Sequence, residues 1–126
     1  ERYPEAFDEY TEHENIHGLF YLEYEKYHKH GGKIIWSNDK PVVTAKYAIW
    51  DPGAMEDATL EDCLEKLNSA PVDITSEDGY TFVTVHAWSG YTMDDLCDMI
   101  DQLADHVKVV TPDEFMQQII KNVERD

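Results

Sequence analysis

The chain has 126 residues, 42% of them hydrophobic and 12% aromatic, enough apolar surface for one packed core and too much for a disordered segment. Ten basic against 27 acidic residues give a formal charge of −17, which repels phosphate backbones and anionic membranes and argues against a nucleic-acid partner. No stretch has the length of a membrane span, and Glu1-Arg2-Tyr3 does not open a signal peptide.

Residues 1–15 are charged with scattered aromatics and are read as the end of a helix. His17 to Tyr24 is apolar and aromatic enough for a strand, and the polar stretch after it ends in Gly31-Gly32. Strands are then expected at 33–36 and 42–50, on either side of Ser37-Asn-Asp-Lys-Pro41. Asn and Asp tolerate left-handed backbone, and Pro41 would start a strand where a missing N–H costs least, so these five residues predict a hairpin turn.

From residue 59 helix and strand alternate. Thr59 with Asp62, Thr92 with Asp95 and Thr111 with Glu114 place a hydroxyl at each helix N-cap and an acid three residues on, with Pro112 at a first helical position. Three apolar stripes follow at helical spacing: Leu60, Cys63, Leu64 and Leu67; Met93, Leu96, Cys97, Ile100 and Leu103; Phe115, Met116, Ile119, Ile120 and Val123. Both cysteines fall on these stripes, which predicts small buried hydrophobes; neither belongs to a CxxC pair or zinc pattern.

Strand 80–87, helix 92–105 and strand 107–110 together read as a βαβ unit, which requires parallel neighbouring strands. The expectation is one α/β domain over 1–126, a mainly parallel sheet with flanking helices, as in part of an incomplete or distorted (β/α) barrel. The ends of strands 42–50, 80–87 and 107–110 would then share a rim holding Trp50, Asp51, His86, Trp88 and Thr111.

Within strand 80–87, Val83, Val85 and Ala87 form a smooth apolar face and Phe82, Thr84, His86 and Trp88 the mixed one. His86 at the strand end is the first catalytic candidate; a core histidine bonded to a backbone carbonyl is the alternative. Asp51 follows Trp50 at a strand end and is the second candidate, with an Asx turn as its alternative. Trp50, Trp88 and Tyr91 are candidate substrate-stacking rings, joined by Tyr21, Tyr24 and Trp36. Lys46, if it faces with Thr44 and Ala48, needs a carboxylate partner or a substrate oxyanion; a solvent-facing edge-strand lysine is the simpler account. No metal set or cofactor is indicated.

His17-Gly18 with Tyr24, Gly32-Lys-Ile-Ile-Trp36, Lys40-Pro-Val-Val43, Ile49-Trp50, Asp78-Gly-Tyr-Thr81, Val85-His-Ala-Trp-Ser89 and Val109-Val-Thr-Pro-Asp-Glu-Phe115 together resemble the C-terminal domain of the glycoside hydrolase-like family named for a GxGYxYP motif. The resemblance runs from about His17 to Val123. The naming motif itself is absent, which suits the C-terminal portion of a longer protein, as does a start at Glu1 instead of Met. The last strand-helix-strand segment also resembles polysaccharide deacetylases, whose final-strand histidine lies in the active site, although the metal motifs of that family are missing here.

The resemblance implies a carbohydrate partner, the rest of a parent chain as a second partner, and an extracellular or cell-envelope location in bacteria. Two functions remain open. One is a carbohydrate-active, glycoside hydrolase-like domain with a site around His86; too many acids are present to choose the pair that such hydrolysis needs. The other is a non-catalytic module that supports a neighbouring domain or binds a protein through its acidic helices.

Overall fold

The computed structural model describes residues 3–21, 31–49, 59–85 and 89–125. In chain order the elements are α1 (Tyr3–Thr11), β1 (Leu19–Tyr21), β2 (Ile34–Ser37), β3 (Lys40–Thr44), β4 (Tyr47–Ile49), α2 (Leu60–Asn68), a 3₁₀ turn (Glu77–Gly79), β5 (Val83–Val85), α3 (Met93–Asp101) and α4 (Pro112–Asn122). They build two compact units from interleaved segments: Glu1–Lys46, Asp73–Phe82 and Val110–Asp126 in the first, Tyr47–Val72 and Val83–Val109 in the second.

In the first unit β3 is the central strand, with β1 parallel to it and β2 antiparallel. The β2–β3 hairpin turns on Asn38 (φ 49°) and Asp39 (φ 62°), the left-handed pair that a two-residue turn of this twist demands. The Thr44 N–H donates to the Lys33 carbonyl at 3.2 Å, which sets the phase of the ladder. Counting from that bond along the register, Ile35–Val42 and Ser37–Lys40 exchange hydrogen bonds, whereas Ile34–Val43 and Trp36–Pro41 do not. Pro41 therefore sits where β2 asks for no donor, and β1 begins its pairing only at Val42. Ile34, in the same non-hydrogen-bonded class of pair as Pro41, turns its N–H outward, and the Glu77 carboxylate accepts it at 3.0 Å, covering part of an edge strand.

The faces of this sheet are divided by alternation. Ile34 and Val43 pack with Phe115, Met116 and Ile119 of α4. Ser37, of opposite parity to Ile34, meets α1: its hydroxyl lies 2.8 Å from Thr11 Oγ1 and donates to the Asp8 carboxylate. Lys40 Nζ donates to the Thr11 and His13 carbonyls at 2.7 Å each, so a cation satisfies acceptors that the end of α1 leaves open.

In the second unit β4 and β5 are parallel, with Tyr47↔Val83, Ala48↔Thr84 and Ile49↔Val85 in register. Ile49, Leu60, Cys63, Leu67 and Met99 form its core, and Val83, Val85, Leu96 and Leu103 pack against it. All three threonine N-caps form: Thr59, Thr92 and Thr111 accept from the backbone of Asp62, Asp95 and Glu114. At Thr92 the Asp95 carboxylate also reaches back to the cap N–H at 2.8 Å, closing the reciprocal box; at Thr59 the acid takes the threonine hydroxyl instead.

The α/β class stands, but the mainly parallel sheet and the barrel do not. The strands divide between a three-stranded mixed sheet and a two-stranded pair. Three local causes account for this. The Asn38-Asp39 turn reverses the chain and makes its longest pairing antiparallel. The expected strand 42–50 breaks at Ala45-Lys46, giving β3 and β4 to different sheets. Residues 107–110 form no strand: Val110 packs against the first unit's core while Val109 stays exposed, so their β-branched side chains serve a connecting segment. The expected βαβ unit, and with it the similarity to deacetylases, loses its last strand. The stripe on α3 is also corrected, because Met99 is buried whereas Met93, Cys97 and Ile100 are exposed.

Candidate functional site

Parallel pairing carries β4 and β5 to a common end, where Ile49 and Val85 are register partners. The sequence candidates Trp50, Asp51, His86 and Trp88 lie outside the described residues, as does Tyr24. What leads up to them is described. Val83 and Val85 turn to the helix-covered core, as alternation predicts, and Thr84 has the opposite parity. Thr84 Oγ1 is buried with no hydrogen-bond partner among the described residues, an unsatisfied donor on the β5 face that the sequence assigns to its mixed set.

After β5 the loop residue Ser89 is buried and Gly90 takes φ 82°, a backbone state that glycine adopts without strain. Tyr91 then packs against the second unit's core, and its hydroxyl oxygen accepts from the Leu60 N–H, a first-turn donor of α2, at 3.4 Å. Its ring is half-buried and tied to the helix start.

Lys46 belongs to the first unit, where its ammonium lies 4.0 Å from the Asp78 carboxylate. At that distance, between a half-exposed and an exposed side chain, the pair is a weak surface contact. Its stem passes over Gly32 (φ +88°), where an added Cβ would stand 2.9 Å from Lys46 Cβ and Cδ, so the glycine makes room for it. Among the other aromatic candidates, Trp36 carries the Arg125 guanidinium 4.8 Å from its ring centre, and Tyr21 meets Phe7 edge-on at 5.1 Å. Phe20, which the sequence pattern did not single out, is more open: it is an exposed ring contacting Phe82 and Phe115.

A second feature passed over at the sequence level is a groove of about 230 Å³ in the second unit, lined by Leu60, Glu61, Leu64, Asp95, Asp98, Met99 and Gln102. Asp95 and Asp98 on α3 and Gln102 at its C-cap recur at helical spacing, which was the available signal, but acids there read equally well as a solvated face. No group of three or more His, Cys, Asp or Glu side chains among the described residues could hold a metal ion. No described helix is long and apolar enough to cross a membrane.

The family model described as "GxGYxYP putative glycoside hydrolase C-terminal domain" matches residues 1–120. The chain belongs to this family. A crystal structure of a "putative hydrolase" from Bacteroides thetaiotaomicron is similar to it, with 31% identity and a TM-score of 0.83 over 94% of this chain. The match spans 23% of that relative's length. No curated protein matches the chain.

Proposed function

We propose that the chain is the C-terminal domain of a longer carbohydrate-cleaving hydrolase, and that it contributes His86 and Asp51 to a site at the common end of β4 and β5. Family membership over residues 1–120 carries the first part. The second is supported by the parallel register: Ile49 and Val85 are paired, and Trp50-Asp51 and His86 are the residues that follow them in sequence. Helix-facing Val83 and Val85 favour the opposite parity for His86, together with Thr84, whose buried hydroxyl lacks a partner among the described residues. In this proposal His86 exchanges a proton with a sugar hydroxyl or leaving oxygen, Asp51 supplies one carboxylate, and Trp50 and Trp88 stack on the apolar sugar face. A location outside the cytoplasm belongs to the same proposal.

The test is hydrolysis of a panel of oligosaccharides by the parent protein, read as released reducing ends, for wild type, His86→Ala and Asp51→Asn. Loss of an acid-base group lowers kcat by roughly a hundredfold or more. Wild-type rates in both variants, with hydrolysis by the parent intact, would replace this proposal with that of a non-catalytic supporting module.

A further inference from the structure

Helix α3 carries more apolar surface than the described residues of its own unit cover. Leu96 and Met99, followed by Leu103, turn into the core, whereas Met93, Cys97 and Ile100 form an adjacent stripe about a quarter turn away. Met93 is 73% exposed, Ile100 45%, and Cys97 lies open between them. The stripe follows i, i+4, i+7 spacing and contains no charge, on a chain whose formal charge is −17. An open apolar stripe with a free thiol at its centre is costly on a solvent-facing surface.

We propose that Met93, Cys97 and Ile100 form the face through which this domain seats on the preceding part of its parent chain, against an uncharged apolar patch. The inference rests on the proposal that the chain is the C-terminal portion of a longer hydrolase. Two observations select this occupant. The match to the solved relative spans 23% of that chain, so in the relative most of the polypeptide lies outside the matching part and is covalently at hand. The stripe is also small. Three side chains fall well short of the roughly 1,000 Å² that a specific contact between separate proteins needs, yet they suffice for a tethered domain, whose effective concentration is on the order of millimolar. A second copy of the chain is disfavoured further, because pairing would bring two charges of −17 together.

The native thiols provide the probe, since Cys97 is exposed and Cys63 buried in this domain. The intact parent protein is treated with a maleimide under native conditions, and labelling at each cysteine is followed by peptide mass spectrometry. Cys97 should label at least about tenfold more slowly than in urea, and Ile100→Glu or Met93→Glu should restore fast labelling there while Cys63 stays protected. Wild-type Cys97 that labels as fast as in urea overturns the inference, and this arm needs no variant. Protection that grows with protein concentration points to a second copy, and protection that survives both charge substitutions points to cover from elsewhere; either result also overturns it. A parent that cleaves sugars while Cys97 reacts freely removes this inference alone, whereas an intact mass no greater than that of the present chain removes the proposal beneath it.

Discussion

Asn68 at the end of α2 holds the segment beyond α3 with both ends of its amide: Oδ1 accepts from the Ala104 N–H at 2.7 Å, and Nδ2 donates to the Gln102 carbonyl at 3.3 Å. Ala104 lies past the last helical residue, so its donor has no partner in a helix ladder, and a side chain from a neighbouring helix supplies one. Asn68→Ala would leave that partly buried donor unpaired. We expect a cost of about 1–3 kcal/mol in urea unfolding, and less for Asn68→Asp, which keeps the acceptor. Equal midpoints for Asn68→Ala and wild type would show that water replaces the amide at no cost.

The hairpin makes a different kind of prediction, because it concerns the backbone alone. Asp39 holds φ 62° at the second turn position, a state that costs an alanine about 1 kcal/mol and costs glycine nothing sterically. Its ion pair with Arg125, 3.1 Å on an exposed surface, contributes little. Asp39→Ala should therefore destabilise by about 1 kcal/mol, and Asp39→Gly should leave stability within about 0.5 kcal/mol of wild type. If both variants lose stability equally, the ion pair and not the backbone holds the turn.

These two sites mark where sequence was and was not informative. The turn was legible because Asn38-Asp39-Lys40-Pro41 carries its conformational demand in the residues themselves, and the helix starts were legible through Thr59, Thr92 and Thr111 for the same reason. The Asn68 clamp was not, since nothing in the sequence says which backbone donor a distant amide meets. Sheet membership was hidden too: the low strand propensity of Ala45-Lys46 hints at the break within 42–50, but nothing in the sequence says that its halves join different sheets. On α3 the spacing could not decide which side of a broad apolar arc faces the core, so Met99 was passed over and Cys97 and Ile100 were expected inside. The candidate site was legible as far as the strands leading to it. Alternation put Val83 and Val85 on the core face, while the burial of the Thr84 hydroxyl without a partner among the described residues follows only from three-dimensional packing.

Two of the N-caps are tested singly. Thr92→Ala and Thr111→Ala should each cost on the order of 1 kcal/mol, because each hydroxyl accepts a backbone N–H that the helix cannot satisfy, at 3.1 and 3.2 Å. At Thr92 the cap is reciprocal, so a double-mutant cycle between Thr92→Ala and Asp95→Ala should show coupling. Strict additivity there would mean that the two halves of the box act independently.

Alkaline pH should weaken the second unit through Cys63. Burial pushes its thiol up from an ordinary 9.0 to about 11, with the nearby Lys66 charge pulling it partly back. The folded state thus keeps the proton that the unfolded chain gives up. Below pH 9 both states carry it and stability does not respond; between pH 9 and about 11 the unfolded state ionises first, so stability falls as pH rises. The comparison is with Cys63→Val, which fills a similar volume and cannot ionise, while every other titrating group stays the same in both proteins. Measured by urea unfolding at a series of pH values, the stability difference between wild type and Cys63→Val should be constant up to pH 9 and then move in favour of the valine variant. A difference that stays flat through pH 11 would mean that the thiol ionises as readily in the fold as in the unfolded chain, and that the core around Ile49, Leu60 and Leu67 admits water to it.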